Sequence, residues 1–150
     1  MNRMLIALFT AAFSIACAAD SYQRVPAPAQ DVEVTSPAVA RIYILRMPQH
    51  LGRIRSVSVR DDELEIGRVA RNDYLCWERA PGRSLVTLTY EGAEIDGGGK
   101  QGLIDLQCAA GEVCYYGLSI DKAWRKPVVR LLERDEAREL LKGMSPAPQN

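Results

Sequence analysis

Ala80-Pro81-Gly82-Arg83-Ser84-Leu85-Val86-Thr87-Leu88-Thr89-Tyr90 is the stretch that decides the fold class. Proline followed by glycine suits the two central positions of a type II turn. Behind it, Leu85, Val86, Leu88 and Tyr90 form an apolar strand, with Thr87 and Thr89 on the alternate face. Alternation with period two and branched side chains is the mark of a strand with one face buried.

The same grammar repeats on both sides of this segment. Upstream, Val39, Ala40, Ile42, Tyr43, Ile44 and Leu45 form an apolar strand interrupted by Arg41 and ended by Arg46, Met47 and Pro48. Arg41 is expected near a sheet edge, with its stem lying along the surface. Ile54, Val57 and Val59 make a second run, Asp61-Asp62 a hairpin turn, and Leu64, Ile66 and Val69 its return, with Gly67 at a bulge. Tyr74 to Trp77 is a short strand. Downstream, Glu91 to Gly102 is a long soft loop, and its Gly97-Gly98-Gly99 lacks the lysine and hydroxyl partners of a phosphate cradle. Leu103 to Cys108 and Val113 to Ile120 flank a turn at Ala110-Gly111-Glu112. Tyr115 and Tyr116 are adjacent, so they cannot both be core residues of a one-sided sheet. Val128 to Leu132 is the last strand. Asp135 is expected to cap a helix running to Lys142, with Ala137, Leu140 and Leu141 on one stripe and Gly143 beyond its end. The sum is a mainly β chain: a small antiparallel β-sandwich-like domain over residues 38–143 with one short C-terminal helix, then a frayed tail from 144 to 150.

The first 19 residues have a different character. Arg3 precedes an apolar run from Met4 to Ile15, and Ala16, Cys17, Ala18 and Ala19 crowd its end. This is the layout of a secretory signal peptide. Two cuts are open. Ser14-Ile15-Ala16-Cys17 is an imperfect lipoprotein box that would leave Cys17 lipidated. A cut after Ala18 or Ala19 would discard that cysteine. The first places the domain on a membrane through its lipid; the second leaves it soluble in the periplasm or secreted. Residues 20–37 carry Pro26, Pro28 and Pro37 and read as an extended tether.

Charge and cysteine usage narrow the partners. Lys and Arg number 19, Asp and Glu also 19. This balance argues against nucleic acid, which calls for a basic surface. Export leaves Cys76, Cys108 and Cys114 in an oxidising compartment. Cys108 and Cys114 bracket a turn and are the favoured disulfide; a bridge from either to Cys76 is the alternative. Loop entropy gives about 2.4 kcal/mol for the first and about 4 kcal/mol for a Cys76–Cys114 link, which does not choose between them. His50 is the sole histidine, and the cysteine spacings match no zinc pattern, so neither a metal nor another cofactor is expected.

The stretches Ala40-Arg41-Ile42-Tyr43-Ile44-Leu45-Arg46, Glu65 to Val69 with Asn72 to Leu75, Ala80 to Val86, Ala110 to Tyr116 and Leu132 to Leu141 resemble, in order, the DUF2846 domain family. These are small PEGA-like β domains of bacterial envelope lipoproteins. The resemblance implies a binding or structural module and supplies no catalytic residues.

On this reading the chain is not an enzyme. It is expected to be a structural or protein-interaction module of the cell envelope, on the periplasmic side of a membrane. An envelope protein or a peptidoglycan-associated component is the expected partner. A glycan- or small-ligand-binding module is the alternative, and an unrecognised hydrolase the remote one. The candidate binding surface is Tyr74, Trp77, Tyr115 and Tyr116, whose rings suit sugar or peptide faces, with Arg79 and Arg83 flanking the Pro81-Gly82 turn for an anionic group. The competing reading places most of those rings in the core.

Overall fold

The computed structural model describes residues 34, 36–48, 55–91, 100–121, 123 and 126–147. The leader expected to be a signal peptide, Cys17, His50, Gly97-Gly98-Gly99 and Trp124 lie outside the described residues.

The chain forms β1 (Ala40–Arg46), β2 (Val57–Asp61), β3 (Leu64–Val69), β4 (Asp73–Arg79), β5 (Gly82–Tyr90), β6 (Gln101–Cys108), β7 (Val113–Ile120), β8 (Pro127–Leu132), α1 (Arg134–Leu141) and β9 (Ser145–Pro146). Two sheets face each other: β8-β7-β1-β4-β9 and β3-β2-β5-β6. Most neighbours are antiparallel, but β1 pairs with β7, and β4 with β9, in parallel. The β-sandwich with a single C-terminal helix is therefore as the sequence indicates, with a mixed larger sheet.

β5 shows why this architecture follows from the alternation. Ser84, Val86, Leu88 and Tyr90 are buried, whereas Arg83 and Leu85 are exposed. The buried set meets Ile42, Ile44, Leu75, Trp77, Leu118 and Ile120 from the opposite sheet in one apolar core. Gly82 opens β5 at φ +122°, a value that favours glycine. The predicted bulge is also present: Val59 stands opposite Gly67 but Arg60 opposite Glu65, so Ile66 is the extra residue.

The larger sheet is covered on both sides, and this corrects two expectations. Every residue of β1 is buried. Its even-numbered side chains enter the sandwich. Tyr43 and Leu45 face outward into a second cluster with Tyr74, Cys76, Tyr115, Leu132 and Ala137, beneath α1. Tyr115 and Tyr116 are thus both core residues, one on each face. Arg41 is not near an edge: β1 is the middle strand, and Arg41 is buried against Glu78 of β4. Its Nε and Nη2 both donate to Glu78 Oε1, at 3.0 and 2.6 Å.

Two boundaries also move. The helix begins at Arg134 with Glu133 as its cap residue, and no side chain caps it. Asp135 instead sits in the first turn with Glu136, where negative charge meets the positive end of the helix dipole. The tail is not frayed at its start: Ser145–Pro146 lie along β4, and the Ala147 N–H donates to the Tyr74 carbonyl at 2.8 Å.

Candidate functional site

The predicted binding surface does not exist as a surface. Tyr74, Trp77, Arg79, Tyr115 and Tyr116 are all buried; of the six residues only Arg83 is exposed. The physical reason is the second layer. Once α1 covers the outer face of the larger sheet, rings on either face of β4 and β7 are interior. Tyr43 stacks on Tyr115 with ring centroids 4.9 Å apart and lies 6.2 Å from Tyr74. These rings hold the helix to the sheet.

Cys108 and Cys114 are joined in a disulfide. Cys76 is a free, buried thiol. Burial pushes it up to about 12, despite a hydrogen bond to Tyr43 and the nearby Arg41 charge. A thiol held so far from its thiolate is a poor nucleophile. Cys108 and Cys114 also lie close to Glu112. Both sulfurs are committed to the bridge, and the Glu112 carboxylate accepts the Ala109 N–H at 2.8 Å. That trio offers no thiolate to an ion.

The ends of the two sheets leave four edge strands, and they are unequal. β9 is two residues long and contains Pro146. β3 is bulged and carries Glu65 and Arg68. At its start β6 abuts β8 so closely that a Cβ on Gly102 would lie 2.6 Å from the Pro127 carbonyl oxygen. Shortness, bulges, charge and cover are the usual protections of an edge. β8 has the least. Among the described residues its far side pairs with no strand over Pro127–Leu132. Val128 is 46% exposed and Leu131 65%. Val129 packs against the sandwich core, so Leu131, two residues on, shares that face. It remains uncovered because β6 ends bridged to β7 rather than beside β8. On the helix side, Arg130 is held by Glu136 of α1 through both guanidinium amines.

The interior holds two polar constellations that composition alone did not reveal. In one, Asp61 is wholly buried, and accepts from Trp77 Nε1 at 2.9 Å and from Arg79 Nη1 at 3.1 Å. In the other, Arg46 is 1% exposed and its Nη1 has no hydrogen-bond partner among the described residues. Burial lowers its pKa from the usual guanidinium range, with nearby Tyr90 opposing. In the sequence, Arg46 marks only the end of a strand. Its place in the inward-facing phase of β1, with Ile42 and Ile44, was the signal available.

No family model, curated protein or solved structure matches this chain.

Proposed function

We propose that this protein is a non-catalytic interaction module of the bacterial cell envelope, anchored through a lipid on Cys17. In this reading the β8 edge receives an extended segment of an envelope protein. The observation that carries it is the β8 edge, which pairs with no described strand beyond β7 and carries exposed apolar side chains on both faces, Val128 on one and Leu131 on the other. Strand addition draws affinity from main-chain hydrogen bonds and specificity from alternate side chains. The complementary segment is therefore extended and apolar on both faces. The signal-like leader and its Cys17 support the location. The resemblance to envelope lipoprotein domains supports the class.

A photo-crosslinking amino acid placed at Val128 or Leu131 tests this in cells. Discrete adducts are expected at both positions, and Leu131→Asp should remove the Val128 adduct. Leu85, exposed on the other sheet, is the control position. Adducts of equal yield at Leu85, or none on β8, would reject the edge as the docking strand.

A further inference from the structure

We infer that the extended segment received by β8 is β8 of a second copy of this chain, the two strands running antiparallel about a two-fold axis through Arg130. This rests on the reading of β8 as the docking strand and names its partner. The pairing joins two five-stranded sheets edge to edge through one self-complementary patch.

Backbone phase selects the register. The Asp121 N–H donates to the Lys126 carbonyl at 2.9 Å, in step with the β7–β8 pairs that run from Ile120–Pro127 to Tyr115–Leu132. Peptide groups of an antiparallel strand alternate between its two sides. Val128, Arg130 and Leu132 therefore turn theirs toward β7, and Pro127, Val129 and Leu131 turn theirs outward. Pro127 has no N–H, and its carbonyl oxygen lies against Gly102 of β6. Past Leu131, the Glu133 carbonyl already accepts the Ala137 N–H of α1. Val129 and Leu131 are left with both a donor and an acceptor to offer. An axis through Arg130 sets Val129 of each copy opposite Leu131 of the other, and each such pair exchanges both its hydrogen bonds. An axis through Val129 would call on the missing Pro127 N–H. One through Leu131 would call on the occupied Glu133 carbonyl.

Side chains agree with this register. Directly opposite residues share a face. Leu131, 65% exposed, meets Val129 of the other copy on the sandwich face, and Val128, 46% exposed, meets Leu132 on the helix face. The two Arg130 side chains come together at the axis, where like charges repel. Each is already held by its own Glu136, with Nη1 donating to Oε2 at 3.0 Å and Nη2 to Oε1. The arginines and glutamates at the axis therefore sum to no net charge.

Two measurements on the purified protein test this. Sedimentation equilibrium is expected to show a reversible dimer. Leu131→Asp should weaken association at least tenfold, and Leu85→Asp, on the outer face of the other sheet, should leave it intact. Glu136→Gln should also weaken it, and adding Arg130→Gln should restore it. Second, Arg130→Cys places two thiols across the axis at a Cα separation of about 4.5 Å, within disulfide range. Mild oxidation of two differently tagged copies carrying Arg130→Cys should link the tags, whereas Val128→Cys should not. A monomer at every concentration, a dimer indifferent to both Leu131→Asp and Glu136→Gln, or no Arg130→Cys bridge overturns the pairing. Should Leu131→Asp not fold, Glu136→Gln and the cysteine bridge decide. Photo-adducts at Val128 and Leu131 of a mass other than twice the monomer, with a monomeric purified protein, overturn self-pairing and leave the docking strand standing. The absence of any β8 adduct removes both.

Discussion

Arg79 and Arg46 are carried inside the same sandwich, on neighbouring strands and at opposite ends of it. Arg79 reaches the buried carboxylate of Asp61, which also takes the Trp77 N–H. Arg46 is buried near Tyr90, and its Nη1 donates to no described residue. Both sit in inward-facing positions, so alternation alone would treat them alike. What separates them is the strand across the gap. β2 ends in Asp61 where β4 ends in Arg79, so donor and acceptor are brought together as each strand leaves its sheet. At the other end no described strand delivers an acid to Arg46. One end therefore pairs its buried arginine between strands, and at the other no described strand does so.

The sharpest way to break this comparison is to remove the shared acceptor. Asp61→Ala is expected to destabilise the fold by about 3–5 kcal/mol, the usual penalty for taking away one member of a buried ion pair. Both the Arg79 Nη1 and the Trp77 N–H lose their acceptor in this variant. Urea unfolding followed by tryptophan fluorescence reads the effect as a lower midpoint at unchanged slope. A loss under about 1 kcal/mol would mean that the Asp61 end is no better compensated than the Arg46 end.

The opposite sign is expected at the other end. Arg46→Met keeps a long apolar stem and deletes the charge. It should raise stability by about 1–3 kcal/mol, the ordinary cost of a buried polar group without a partner. The same unfolding experiment measures it. A destabilisation comparable to that of Asp61→Ala would show that Arg46 is already compensated within the fold. The two ends would then be equivalent.

What could be read from the sequence tracks how local the deciding interaction is. Alternation from Leu85 to Tyr90, the bulge at Gly67 and the amphipathic closing helix are set by residues close in the chain, and each is present. So is the Cys108–Cys114 bridge, whose partners are six residues apart. Arg41 was misplaced because its partner, Glu78, lies 37 residues away. The aromatic surface was misread because α1 covers strands far upstream of it. A two-residue strand containing Pro146 carries too little pattern to be recognised. The candidate site was the least legible part. Neither an edge that meets no described partner strand nor a buried arginine that no described strand neutralises is a property of any one segment; both depend on where the other strands go.

A third arginine shows what the two buried ones are being measured against. Arg83 forms two short hydrogen bonds with Asp105 across β5 and β6, Nε to Oδ1 at 2.6 Å and Nη2 to Oδ2 at 2.5 Å. Its geometry is closer than that of Arg79 with Asp61, yet both partners face solvent. The hydrogen bond from Arg83 holds the Asp105 carboxyl below its ordinary value. A contribution of that sign is present above the ordinary carboxylate range and is lost as the pH falls. Water and salt screen it at this position. Arg83→Gln should therefore leave the urea midpoint unchanged within error at neutral pH and moderate salt. A clear drop, persisting at high salt, would mean that geometry rather than burial decides what an arginine is worth in this fold. The contrast between Arg79 and Arg46 would then need another cause.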